Sequence, residues 1–405
     1  MGSVVIVGAG PAGAVLAYLL ASRGIETTLV ERQDDFAREF RGEVLLPGGL
    51  EPFQQMGLWD RLESVPQVKL TQGDAFVHGR LVASFSFEGE EFGPYAPRWM
   101  SQPGLLEMLV AEAEQHPSLR FLRGGAVTEL VEENGRFVGV RVRSHGVEEE
   151  IRADLVVGAD GRTSMVRRHA GFEVDEDPTP MDIVWCKVPM LPSMADPPRA
   201  RFYAGRGHLL IAAPVYDGTV QLGWVIRKGS FGEIRERGMP ECLDAMAEHV
   251  DPELEAHLRR HREDSITPFL LSTVSDRVRE WVRPGVLVIG DAAHTMSPVG
   301  AQGLNLAIRD AVVAANHLVS VLSGAAAAGS VDAAARAVEA ERSHEIRVTQ
   351  RAQRMAPFLV LRDGWLNRAF FGAVRRTLGR RPRRVRAGRA FLRAAMGVDE
   401  VKLRV

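Results

Sequence analysis

Apolar residues and turn signals alternate from the first positions onward. The run Val4 to Val7 predicts a buried strand, Gly8 to Gly13 a turn, and the helical spacing from Ala12 to Ser22 a helix. A second strand over Thr28 to Val30 completes a βαβ opening. Helical spacing returns over Leu50 to Leu62 and Gly104 to Gln115, and strand patterns over Leu119 to Leu122, Phe137 to Val142 and Ile151 to Val157. Between about Phe172 and Thr273 the texture changes to strands, IVWCKV, RARFYA, HLLIAAPV and VQLGWVIRK, with one helical stretch from Met239 to His261. This predicts an inserted antiparallel sheet. A buried strand, VLVIGD, returns after Gly285, and a long helix begins near Gly303. Ala325 to Ala340 keeps a helical period, and short arginine-rich helices broken at Pro357, Gly379 and Pro382 are expected after it.

The pattern predicts an α/β protein in three parts. Residues 1–171 and 274–323 form a discontinuous dinucleotide-binding domain, 172–273 a β-sheet domain that part of 65–100 joins, and 324–405 a helical, arginine-rich segment. Composition agrees: 405 residues with 45% hydrophobic and 25% charged positions exclude a disordered or fibrous chain. No apolar run approaches the roughly 20 residues of a membrane-spanning helix. MGSVVIVGAG carries no basic region before its apolar residues, so a cytoplasmic location is expected. Cys186 and Cys242 have no metal-ligand spacing, and no metal is expected.

Gly8-x-Gly10-x-x-Gly13, with Pro11 and Ala12 opening the helix, carries the chemistry. Gly8 permits the turn, Gly10 lets a pyrophosphate approach the backbone, and Gly13 brings helix against strand. Glu31, followed by Arg32, ends the second strand where a carboxylate accepts hydrogen bonds from an adenosine ribose. An acid there suits FAD or NAD better than a 2′-phosphate.

Two later segments, LVVGADGRTSMVRR (Leu155 to Arg168) and GVLVIGDAAHTMSPVGAQGLNLAIRDA (Gly285 to Ala311), resemble the DG and GD motifs of single-component, group A flavoprotein monooxygenases of the para-hydroxybenzoate hydroxylase class. The resemblance covers about residues 3 to 316 and implies a Rossmann-like FAD-binding domain of the GR2 type. It also implies transient reduction by NADPH or NADH, and oxygen transfer through a flavin 4a-hydroperoxide to an electron-rich aromatic, polyketide or prenylated substrate. By the same resemblance, Asp291 meets the ribityl chain and Pro298 lies beside the reactive edge of the ring. Gly300, Gly303, Leu304 and Asn305 open a helix toward the flavin. Asp160, Arg41, Gln102 and Val127 become cofactor contacts, and His294 a catalytic candidate. Arg162 and Arg167 reach either phosphate or surface carboxylates.

Candidate substrate residues are Val44 and Leu46 in the loop after Arg41, with Trp185, Lys187, Arg201, Tyr203, Trp224 and Ile226 on the sheet. Alternation pairs Trp185 with Lys187 and Trp224 with Ile226 without deciding which face is inward. No second GxGxxG marks a separate nicotinamide domain, and the motif of tryptophan halogenases is missing at GWVIRK. The alternative reading is a prenyl reductase resembling geranylgeranyl reductases, which would consume NAD(P)H without inserting oxygen.

Charge adds a last expectation. Residues 351–405 hold 15 Lys and Arg against 3 Asp and Glu, while the body before them is acidic. GEVLLPGG is similar to the equivalent loop of squalene epoxidase-like enzymes, and Phe358 to Met396 mixes aromatic residues with arginines. Both suggest peripheral membrane contact and a hydrophobic substrate; the alternative is a basic tail docked on the acidic body. Nucleic acid is not expected as a partner, since no recognition module accompanies the charge.

Overall fold

The structure, a computed structural model, describes residues 2–37, 44–90, 92–177, 179–205, 207–264, 266–324, 327–360, 383–386 and 397–405, with backbone alone at 355–360 and 383–386. The strands Leu119–Arg123, Glu26–Glu31, Ser3–Val7, Leu155–Gly158, Val286–Val288 and Val282–Arg283 lie side by side in that order, and only the last is antiparallel. The Ser3–Val7 and Leu155–Gly158 strands are almost wholly apolar because a central parallel sheet is covered on both faces. Helix Pro11–Ala21 packs between helices Gln102–Glu114 and Gln302–Leu322, and a three-stranded antiparallel sheet over residues 125–152 lies against the same parallel strands.

The second large sheet has eight strands. Phe269–Leu271, Met181–Pro189, Thr219–Arg227, His208–Pro214 and Arg199–Gly205 come from the predicted insert, and Gln72–Val77 and Arg80–Ser86 continue it. Arg383–Arg386, expected as helix, adds an edge strand parallel to Arg80–Ser86. One face of this sheet carries helices Phe231–Arg237, Met239–Ala247 and Pro252–Arg260; the other faces Val44, Leu46 and Trp99.

Three predicted elements divide, each for a local reason. The helix over Leu50 to Leu62 breaks into Pro47–Gln55 and Trp59–Glu63 at Gly57, which adopts φ +74°. The helix over Met239 to His261 restarts at Asp251, whose carboxylate accepts the N–H groups of Glu253 and Leu254 ahead of Pro252. The strand over Ile151 to Val157 changes sheets at Ala153 and Asp154, where the Asp154 N–H donates to the Ser3 carbonyl. At the far end, helix Ala328–Val360 runs without a break through Pro357. Its Val331, Ala335, Val338, Arg342, Glu345 and Ile346 are all fully buried, a helical stripe that tertiary contact sustains. The predicted breaks at Gly379 and Pro382, and Phe358 to Met396 as a side-chain surface, lie outside the described residues.

Candidate active site

The first turn is built by close approach. A Cβ on Gly13 would stand 1.9 Å from the Gly8 carbonyl oxygen, and Gly8 itself takes φ +99° against Ala159. Helix Pro11–Ala21 then starts at Gly10 with Pro11 in its first turn and no side-chain cap, so its leading amides stay available to an anion. Glu31 is buried; its Oε2 accepts the Ala9 N–H at 3.0 Å and its Oε1 the Gln33 N–H at 3.1 Å. Arg32 is exposed beside it, whereas Arg41 lies outside the described residues. Gln102 opens the helix capped by Ser101, and Val127 pairs with Val142 in the three-stranded sheet.

Asp160 serves its own helix. Its Oδ1 accepts the Ser164 hydroxyl at 2.5 Å, and its Oδ2 the Met165 and Val166 N–H groups at 2.6 and 3.2 Å. Arg162 donates to the Ser272 carbonyl, and Arg167 turns inward to Asp276 at 3.2 Å and to the Arg162 carbonyl. These arginines tie the DG segment to the neighbouring strand Ser275–Val278 and its approach.

Gly290 packs against Ala12 and Ala307, which brings Asp291 beside the first turns of two helices. Asp291 is half-buried, and a Cβ on Gly303 would lie 3.9 Å from its Oδ1. Between them the turn Pro298 to Ala301 holds two successive residues at positive φ, Gly300 at +78° and Ala301 at +53°. A left-handed alanine costs about 1–2 kcal/mol, so the surroundings must hold this turn. Helix Gln302–Leu322 follows, again without a side-chain cap, with Leu304 half-buried on the main core.

Asn305 has a task the sequence did not show. Its Oδ1 accepts the Leu46 N–H at 2.9 Å, while its Nδ2 donates to the carbonyls of Val44 and Ala301 at 3.1 and 2.7 Å. The side chain is used up as a clamp between the Val44 loop and the helix start. His294 is likewise a core group, 1% exposed: it shares a 2.6 Å hydrogen bond with Asp310 and lies against the Trp281 ring. Burial acts to raise the Asp310 pKa, but the His294 and Arg342 charges and hydrogen bonds outweigh it and hold it at about 2.

The sheet separates the substrate candidates into two sets. Trp185 joins Val44 and Leu46 in one apolar cluster, fitted against Gly223, where a Cβ would stand 2.5 Å from the indole. Lys187 shares that face and pairs with Asp217. Tyr203, Trp224 and Ile226 lie on the opposite face under the three short helices, where the Tyr203 hydroxyl donates to Asp251 and Arg201 pairs with Asp251 and Glu253. They do not meet Val44 and Leu46. Two residues that the sequence reading missed stand on the Val44 side: the Trp99 indole N–H donates to Gln221 Oε1 at 2.7 Å inside the cluster. Trp99 comes from a short strand whose three residues show no alternation, so its pattern gave no signal.

A family model described as "FAD binding domain" matches residues 1–348. The chain is 35% identical to 6-methylpretetramide 4-monooxygenase of Streptomyces rimosus over 320 residues, 77% of this chain and 73% of that protein. The chain belongs to the family of FAD-dependent monooxygenases. Within it, 3-amino-4-hydroxybenzoate 2-monooxygenase of Streptomyces cremeus is 29% identical over 89% of this chain and 88% of its own length. Among solved structures, p-nitrophenol 4-monooxygenase of Pseudomonas putida shares the monooxygenase fold with a TM-score of 0.80 at 19% identity, covering 99% of this chain and 100% of that one. PqsL of Pseudomonas aeruginosa, described as a probable FAD-dependent monooxygenase, gives 0.77 at 22% identity, with 92% and 99% covered. Among the described residues, no helix of this monooxygenase is long and apolar enough to cross a membrane.

Proposed function

We propose that this monooxygenase hydroxylates an electron-rich, largely apolar aromatic molecule of the polyketide type, with NADH or NADPH as electron donor. The observation that carries the reading is the apolar cluster of Val44, Leu46, Trp99 and Trp185, which Asn305 ties to the same helix start that Asp291 faces. The similarity to an enzyme named for 6-methylpretetramide points the same way.

The residues fit FAD. Two helix N-termini without side-chain caps, one preceded by a glycine turn that no Cβ could enter, suit a pyrophosphate and a negatively charged ring. In this reading Gly8, Gly10, Pro11, Ala12 and Gly13 receive the pyrophosphate, Glu31 the ribose and Asp291 the ribityl hydroxyls. Pro298, Gly300, Gly303 and Leu304 border the ring. FAD, when bound, carries electrons from the nicotinamide to dioxygen and delivers one oxygen atom to the substrate. The chain's own residues orient the ring, and Trp99 and Trp185 offer a water-poor wall to a planar substrate. Residues 1–171 and 274–323 thus serve the cofactor, and 172–273 with the Gln72–Ser86 hairpin the substrate.

The test is nicotinamide oxidation by purified holoenzyme with hydroxylated anthracene- and naphthacene-type polyketides under isotopically labelled dioxygen. The reading expects one labelled oxygen atom in the product. Nicotinamide consumption with a saturated product and no label would replace it with the prenyl reductase.

A further inference from the structure

We propose that Gln353, on the helix Ala328–Val360, is a positioning residue for the flavin's oxygen chemistry, because it holds the strained turn Pro298 to Ala301 from outside. The inference rests on the FAD reading above and concerns a residue beyond the segment, 1–348, that the family model matches.

Gln353 Nε2 donates to the Val299 carbonyl at 2.8 Å. The amide orientation follows from this bond, since the reverse assignment would set two carbonyl oxygens together. One turn earlier on the helix, Gln350 Nε2 donates to the carbonyls of Asp276 and Thr295 at 3.0 and 3.3 Å, and its Oε1 accepts from Arg277 at 3.3 Å. Two glutamines thus grip the approach and the middle of the turn. On the inner side Asn305 holds the Ala301 carbonyl. A left-handed alanine persists only where such contacts over-determine it.

The two glutamines differ in a way that separates function from packing. Gln350 is satisfied on both amide atoms, whereas the buried Gln353 Oε1 accepts no hydrogen bond among the described residues. A buried acceptor without a partner is unfavourable, so the Gln353 amide gives one hydrogen bond at the expense of desolvating its own carbonyl oxygen. Its net contribution to stability is small, and what it contributes is the place of Val299 and its neighbours. Pro298 and Gly300 flank that carbonyl, so a shift there moves the wall along the ring edge.

The test compares wild type, Gln353→Met and Gln353→Glu as FAD holoenzymes, reduced anaerobically and mixed with air-saturated buffer. For Gln353→Met the melting temperature stays within about 3 °C of wild type. FAD is retained, while the reoxidation rate constant of the reduced flavin changes by about tenfold, the scale at which slight misplacement of reacting groups acts. The visible band of the oxidised flavin changes shape with it. Gln353→Glu supplies the rescue: a buried carboxyl titrates above its usual range and only its O–H form donates to Val299. The variant therefore matches wild type at about pH 6 and Gln353→Met at about pH 9. Equal rates and spectra in wild type and Gln353→Met overturn the proposal, as does a Gln353→Met variant that melts far lower and sheds FAD. A wild-type chain that takes up no FAD refutes the flavin reading itself, and the inference falls with it.

Discussion

His208 shows how much a single side chain owes to its burial. It sits on the eight-stranded sheet, its Nδ1 accepting the Trp224 indole N–H at 3.3 Å with the His249 ring 5.3 Å away. Burial, helped by repulsion from His249, lowers its pKa to about 4. The unfolded imidazole titrates near 6.5, so between those values the unfolded chain binds the extra proton and stability rises with pH. His208 in its neutral form therefore contributes fully above about pH 6.5 and loses about 3 kcal/mol of that stability as pH falls to about 4. Urea titrations across this range should show the slope in wild type and a much flatter one in His208→Phe; equal slopes would refute the assignment. His208 lay unremarked in HLLIAAPV because nothing in a strand pattern tells a buried imidazole from a solvated one. The glycine turn, in contrast, was legible, since Gly13 meets the Gly8 carbonyl within the same turn. The clamp that the Asn305 amide makes was not legible, because the Val44 loop that uses it is far away in sequence.

At the scale of elements, helices Gln302–Leu322 and Ala328–Val360 are joined by charge inside the core. Arg342 donates to Asp310 at 2.7 Å and pairs with Glu345, which also binds Arg309 at 3.1 Å, and Asp310 accepts the Gly290 N–H at 3.0 Å. The array fixes the GD loop to both helices at once. Replacing Asp310 by alanine leaves Arg342 with Glu345 alone and strips His294 Nε2 and the Gly290 N–H of their buried acceptor, and equilibrium unfolding should register a loss of about 3–5 kcal/mol. A loss under about 1 kcal/mol would mean that water reaches the site. Element type was mostly legible from periodicity, but ends were not: Gly57 and Asp251 divide helices that apolar spacing alone runs together. Pro357 misled in the other direction: the backbone stays helical through it to Val360.

On the scale of the whole molecule, the chain's last described segment closes this array. The Glu345 carboxylate accepts the Val398 N–H at 2.7 Å, Arg309 donates to the Asp399 carbonyl, and Asn316 holds the carbonyl of Lys402 at 2.7 Å. Arg404 pairs with Glu341 at 2.9 Å. Deleting residues 397–405 should therefore cost about 3 kcal/mol or more by stripping partners from buried charges. Thermal unfolding of the truncated holoenzyme checks it, and an unchanged melting temperature would show that the segment is dispensable.

The sequence by itself determined the βαβ opening, the order of the three motifs, the inserted sheet and the class of chemistry. Those features rest on local turn geometry, strand and helix periods, and side chains that work close to their own backbone. Only the tertiary structure decided that Trp185 faces Val44 while Tyr203, Trp224 and Ile226 face the helices. It also decided that Trp99 and Gln221 enter the apolar cluster, and that helix Ala328–Val360 reaches back to the Pro298 turn. Alternation states which residues share a face, but the burial that chooses between the faces comes from other segments: the helices over residues 231–260 on one side and the Val44 loop and Trp99 on the other.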